Sequence, residues 1–96
     1  MANLVLINAF EVPTGKEEEF LQGWEEAREF MQVQKGDVAT RLHRSLDPGA
    51  RFRFINIAEW ATAAEFQAAL THPTFVKLRE AIPFTHYPAL YEVIRT

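Results

Sequence analysis

The sequence predicts an α+β fold in the order β-α-β-β-α-β: one antiparallel four-stranded sheet with both helical regions on one face. Three observations carry this reading. Two segments place apolar residues at helical period, four segments alternate as strands do, and turn-forming residues separate them. The chain has 96 residues, which suits one domain spanning 1–96.

The first strand is expected from Leu4 to Val12. Leu4, Leu6, Asn8 and Phe10 fall on one parity, and Val5, Ile7 and Ala9 on the other, so both faces are apolar, as in a strand covered on both sides. Pro13-Thr14-Gly15 breaks it. Thr14 and Glu17 have capping-box spacing, and Glu17, Glu18 and Glu19 favour a helix N-terminus. Phe20, Trp24, Ala27 and Met31, with Leu21 and Phe30, make one apolar stripe, so a helix is expected over Lys16–Gln34, ended by Gly36.

Val38, Thr40, Leu42 and Leu46 alternate with Arg41, His43 and Ser45 as a half-buried strand, and Asp47-Pro48-Gly49 turns the chain. The third strand is expected over Arg51–Trp60. One parity carries Phe52, Phe54, Asn56, Ala58 and Trp60, and the other Arg53, Ile55, Ile57 and Glu59. A helix over Ala61–Leu70 follows, with Phe66, Ala69 and Leu70 on one side. Thr71 is placed to cap a second helical piece starting near Pro73, in which Phe75, Leu78, Arg79 and Ile82 share a face until Pro83 stops it. The last strand is expected over His86–Arg95. This element order is the ferredoxin-like arrangement. Three of the four strands are apolar on both parities, and the helices cover one face only. A second copy is the simplest cover for the other, which predicts a homodimer packed sheet to sheet.

Composition narrows the function. Apolar residues make up 48% of the chain, which excludes a disordered chain, and the absence of cysteine removes disulfides, thiolate metal sites and a thiol nucleophile together. A cysteine-free chain fits the cytoplasm. The net charge of −3 argues against nucleic acid, whose affinity rests on neutralising phosphate. The longest charge-free runs, Ala2–Phe10 and Ala81–Tyr91, fall short of the roughly 20 apolar residues of a membrane helix. MANLVLINAF has no basic stretch before its apolar run, so no secretory signal is expected. His43, His72 and His86 show no metal-ligand spacing, and no metal site is expected. Arg41, Arg44, Arg51 and Arg53 crowd the middle hairpin and read as a solvated face.

Three residues are out of place. Asn56 shares a strand face with Trp60 among apolar neighbours, and a buried amide without partners costs about 1–3 kcal/mol. It either satisfies nearby backbone or lines a cavity with the indole, where it binds a carbonyl or oxyanion. Arg79 sits on an apolar helix stripe. Its head either reaches a carboxylate such as Glu59 or Glu92, or offers a guanidinium to an anionic ligand. Asn8, on the parity of Leu4, Leu6 and Phe10, is either a structural amide or a ligand-facing one.

Together with the strand order, LINAFEVPTGKEEEFLQGW, RFRFINIAEW, HPTFVKLREAI and HYPALYEVIR resemble the antibiotic biosynthesis monooxygenase family of the dimeric α+β barrel superfamily over nearly the whole chain. One branch, the cofactor-free anthrone oxygenases, uses an Asn and a Trp on the third strand, a Tyr beyond them and an Arg in the last helix. The resemblance implies catalytic roles for Asn56, Trp60 and Arg79, and puts Phe66, which lacks a hydroxyl, in the Tyr place. Asn8, Phe66 and Tyr87 are then implied as substrate-binding, with the hydroxyls of Tyr87 and Tyr91 as substitutes for the missing one. The implied activity is oxidation of an anthrone- or quinol-like aromatic by O₂ with no cofactor. A haem-degrading branch shares the Asn at Asn8, but its Trp place falls near Ala69 and its axial His place at or beside Arg79, so haem ligation is unsupported. Because the Asn-x-x-x-Trp pattern also serves as scaffold in this family, the alternative is a non-catalytic or differently catalytic dimeric barrel, a small-ligand binder or stress-response protein. An RNA recognition motif has the same strand order, but Arg51, Arg53 and Ile57 stand where its third strand needs Gly, a small residue and an aromatic.

Overall fold

The computed structural model describes residues 4–96; the first three residues, which open the charge-free amino-terminal run, lie outside the described residues. The elements are β1 (Leu4–Phe10), α1 (Glu17–Met31), β2 (Asp37–Arg44), β3 (Phe54–Trp60), α2 (Ala63–Thr71), α3 (Pro73–Leu78), a 3-10 turn (Arg79–Ala81) and β4 (His86–Glu92). The sheet order is β2-β3-β1-β4, antiparallel throughout. This is the expected ferredoxin-like α+β arrangement, with β1 and β3 in the centre and β2 and β4 at the edges.

Several boundaries differ from expectation, each for a local reason. β1 ends at Phe10 rather than Val12, yet Val12 still packs into the core. β3 starts at Phe54 rather than Arg51; before it, the Arg53 carbonyl still accepts from Ser45 N at 2.8 Å, and the Arg51 and Arg53 side chains reach Glu11 and Glu17 (N···O 2.8 and 3.5 Å). β4 pairs only as far as Glu92, opposite Leu4, and not to Arg95. The Thr14–Glu17 capping box does not form. Gly15, at φ +90°, donates its N–H to Glu17 Oε1 at 3.1 Å, and Lys16 is the N-cap without a side-chain bond. A side-chain N-cap forms instead at α2, where Thr62 Oγ1 accepts from Glu65 N (3.1 Å) and donates to Glu65 Oε1 (2.9 Å). His72, not Thr71, caps α3: its Nδ1 accepts from Thr74 N at 3.1 Å, while the Thr71 hydroxyl donates back to Gln67 O at 3.0 Å. α1 stops at Met31, before Gln34, and Gly36, at φ +94°, turns the chain into β2.

The register of β1 against β3 organises the interior. Phe10 lies opposite Phe54, Asn8 opposite Asn56, Leu6 opposite Ala58 and Leu4 opposite Trp60. These residues share the face that the helices cover. Phe10, Val12, Phe20 and Phe54 form one buried cluster, with the Phe20 ring stacked 4.6 Å from Phe54. Ala58, Trp60, Phe66 and Ala69 form a second, joined by Leu4, Leu6, Met31 and Leu70. The Asn8–Asn56 row lies between them. Among the described residues no helix covers the other sheet face, where Ile57, Tyr87 and Tyr91 are exposed.

Two contacts fix α1 over the sheet. Arg28 Nη1 donates to Asp37 Oδ2 at 2.6 Å, and the Asp37 side chain is only 3% exposed. Gly23 lies against the 3-10 turn, and a Cβ there would meet Ala81 O at 2.7 Å and Ile82 Cγ1 at 3.0 Å. The Gly23→Ala variant should therefore be less stable by about 1–3 kcal/mol, despite alanine's better helix propensity, because a backbone carbonyl has to move. Urea unfolding monitored by far-UV circular dichroism measures this.

Candidate functional site

The space between the two core clusters is a cavity of about 560 Å³ between sheet and helices. Its floor is the Asn8–Asn56 row, with Thr40, Ala58 and Trp60 beside it. α1 contributes Trp24, Ala27, Arg28 and Met31, and α2 contributes Phe66, Gln67 and Leu70. Phe75, Arg79 and Ile82 close one side, and His86 and Pro88 of β4 another. The walls are mostly apolar, with a few convergent polar groups, which is the usual build of a small-molecule site.

The two asparagines are the most informative residues. Both side chains are half-buried, and Asn8 Oδ1 and Asn56 Oδ1 are buried from solvent without a hydrogen-bond partner among the described residues. As direct cross-strand partners, with Cβ atoms about 4.5–5.5 Å apart in such pairs, both residues lie on the cavity floor. The structural alternative for each, an amide satisfied by neighbouring backbone, is not realised at these oxygens.

Trp60 is 2% exposed, and its ring lies 5.3 Å from that of Phe66. It packs with the second cluster and also forms cavity wall, so the two expectations for it meet. Arg79 opens the 3-10 turn, where α3 tightens. Its side chain is exposed, lines the cavity and has no ion pair or side-chain hydrogen bond among the described residues. The expected reach to Glu59 or Glu92 is therefore absent. Arg28, the other cavity cation, is committed to Asp37.

The structure brings Asn8, Asn56, Trp60, Phe66 and Arg79 to one cavity, but Tyr87 lies elsewhere. Tyr87 follows His86 on β4 and so points to the outer sheet face. There its hydroxyl is 3.2 Å from Arg51 Nη2 and 3.4 Å from Glu11 Oε2. The exposed Arg51 guanidinium has its pKa raised further by its hydrogen bonds to Glu11 and Tyr87, so it stays cationic and ties the hairpin loop to β1 and β4. Sequence reasoning missed His86, although strand parity aligns it with Pro88 and its register partner is Phe10. Among the described residues, no group of three or more His, Cys, Asp or Glu side chains is placed to hold a metal ion, and no helix is long and apolar enough to cross a membrane.

A four-stranded antiparallel sheet in the order β2-β3-β1-β4, with helices on one face and a cavity beneath them, defines a ferredoxin-like α+β protein. The model of the antibiotic biosynthesis monooxygenase family matches residues 3–81, and the chain belongs to that family. Among solved structures, the chain is 42% identical to a protein from Shewanella loihica described provisionally as a monooxygenase, covering 99% of this chain and 97% of that one with a TM-score of 0.83. It is 26% identical to SnoaB, a cofactor-independent oxygenase from Streptomyces nogalater, over 100% of this chain and 97% of SnoaB, with a TM-score of 0.87. A dimeric protein of ferredoxin-like fold from Bacteroides fragilis, 15% identical, shares the fold alone, with 97% of this chain and 98% of that one covered and a TM-score of 0.77. The search of curated proteins gives no match.

Orphaned acceptors make a stability prediction. Asn56→Leu removes a buried oxygen that has no partner and should raise the unfolding free energy by about 1 kcal/mol or leave it unchanged, against the loss usual for a core substitution. Thermal or urea unfolding of the ligand-free variant tests this, and a loss of 2 kcal/mol or more would mean that the amide is structurally satisfied.

Proposed function

We propose that the protein is a cofactor-independent monooxygenase that oxidises an electron-rich aromatic, anthrone- or quinol-like, with O₂ in the cavity between sheet and helices. The observation that carries the reading is a pair of buried asparagine oxygens without partners among the described residues, on the floor of a largely apolar cavity that is also lined by Arg79, which has no ion pair among them. Two buried acceptors call for a ligand that donates O–H groups, and an adjacent guanidinium calls for one that becomes an anion. A phenolic aromatic meets both demands. Family membership and the likeness to SnoaB support the same chemistry.

The proposed sequence is short. The bound phenol or anthrone loses a proton, and its charge spreads through the ring onto oxygen. Arg79 and the amide N–H of Asn56 stabilise that oxyanion, while Trp60 and Phe66 supply apolar wall against the ring. The carbanion form passes one electron to O₂, and the resulting radicals combine into a carbon-bound peroxide. Protonation and loss of water leave a quinone carbonyl, so one CH₂ and one O₂ give one C=O and one H₂O. The substrate supplies both electrons, which a flavin would otherwise provide.

The reading includes a homodimer packed through the outer sheet faces. The exposed Ile57, Tyr87 and Tyr91 and the uncovered parity of β1 and β3 support it. It also includes a cytoplasmic location, which the cysteine-free composition suits.

Two measurements test the proposal. Oxygen uptake by dialysed, metal-stripped protein with anthrones and dihydroxynaphthalenes should exceed each substrate's autoxidation blank. The Arg79→Ala variant should lose on the order of 10²-fold in rate. Uptake equal to the blank throughout favours a ligand-binding or otherwise catalytic barrel. Light scattering should give twice the chain mass for the wild type and the single chain mass for Ile57→Glu; a wild-type monomer removes the dimer.

A further inference from the structure

We infer that His86 is the catalytic base that takes the proton from the bound phenolic substrate. The inference rests on the proposed oxygenase reading and adds a residue to it. His86 opens β4, two residues from Pro88, which pairs with Asn8, so its side chain is on the asparagine face of the sheet and lines the same cavity. It is exposed, which sets it at the cavity rim, with its ring 5.7 Å from the Phe10 ring and tilted 32° to it.

The ring's hydrogen bond fixes its chemistry. His86 Nδ1 lies 2.9 Å from the carbonyl oxygen of Phe84. A carbonyl only accepts, so Nδ1 carries the hydrogen and the neutral ring has its lone pair on Nε2. Nε2 has no partner among the described residues. This is the arrangement of an oriented base, with one nitrogen held by the backbone and the other open to a ligand.

Composition of the cavity wall makes the choice. Among the described residues, no Asp, Glu, Lys or Tyr lines the cavity, so His86 is the lining side chain with a free basic lone pair to offer a substrate. The charged groups that line the cavity with it are Arg79 on the 3-10 turn and Arg28 on α1, the latter held by Asp37 of β2. Glu11, beyond β1, is turned to Arg51 and Tyr87 on the other side of the sheet. The step balances simply: the substrate O–H or C–H proton moves to Nε2, the bonding pair stays on the substrate, and the anion lies beside Arg79. After O₂ has added, the imidazolium returns that proton to the peroxide, a task for which Phe66 has no hydroxyl.

The test separates this step from oxygen chemistry. 4-Nitrophenol resists oxidation, and its anion absorbs at longer wavelength than the neutral form. At a pH where most free probe is neutral, wild-type protein should shift its spectrum towards the anion, and His86→Gln should not. His86→Ala should regain the shift with added imidazole, which a merely misfolded variant would not do. With a substrate that turns over, His86→Gln should lose on the order of 10²-fold or more in kcat, and added imidazole should restore part of the rate to His86→Ala. An unshifted spectrum with wild type, or an equal shift with His86→Gln, overturns the base. Probe ionisation by wild type alone, without oxygen uptake for any anthrone or naphthalenediol, upholds the base and removes the oxygenase reading.

Discussion

Two amides facing each other across β1 and β3 hold the architecture of this protein in tension. Asn8 and Asn56 lie on the face that the helices cover, in a row flanked by Phe10–Phe54 on one side and Leu6–Ala58 on the other. An apolar pair in that row would let the two aromatic clusters close into a continuous core. The asparagines keep them apart, and each leaves an oxygen without a partner. Such groups carry a desolvation cost that a ligand able to donate hydrogen bonds relieves. A one-residue slip of β1 against β3 would turn one asparagine to the outer face, so strand register sets the polar floor of the cavity.

The remaining elements place chemistry around that floor. Gly23 lets α1 approach the 3-10 turn closely, and that turn carries Arg79 to the cavity. Had the stripe continued as a regular helix, the arginine would follow the apolar face; tightening at Arg79 leaves it exposed and unpaired. Arg28 contributes a second cation, but Asp37 neutralises it and fixes α1 to β2. Positive charge available to a ligand is thus concentrated at one end of a mostly apolar space, an arrangement suited to a flat aromatic that develops an oxyanion.

Much of this was legible in the sequence. Alternation and helical period give every strand and helical region, and parity alone puts Asn8 with Leu6 and Asn56 with Trp60. What the sequence did not show depends on contacts between distant segments. The hairpin arginines Arg51 and Arg53 pair with Glu11 and Glu17, partners that are remote along the chain. The capping of α3 by His72 rather than Thr71 turns on a difference of one residue. Tyr87 and His86 exchange their expected importance because parity on β4 is read only once its register to β1 is known: the tyrosine goes outward to Arg51, and the histidine inward to the cavity.

The claim at the centre is that the Asn8–Asn56 row is a binding floor for a hydroxylated aromatic. Side-chain amide NMR of ¹⁵N-labelled protein, titrated with a redox-inert dihydroxyanthraquinone, tests it most directly. The expected result is saturable shifts of the Asn8 and Asn56 carboxamide signals, accompanied by the Trp60 indole N–H. Binding that perturbs only outer-face residues such as Ile57 and Tyr91, with both carboxamides unmoved at saturation, would contradict it.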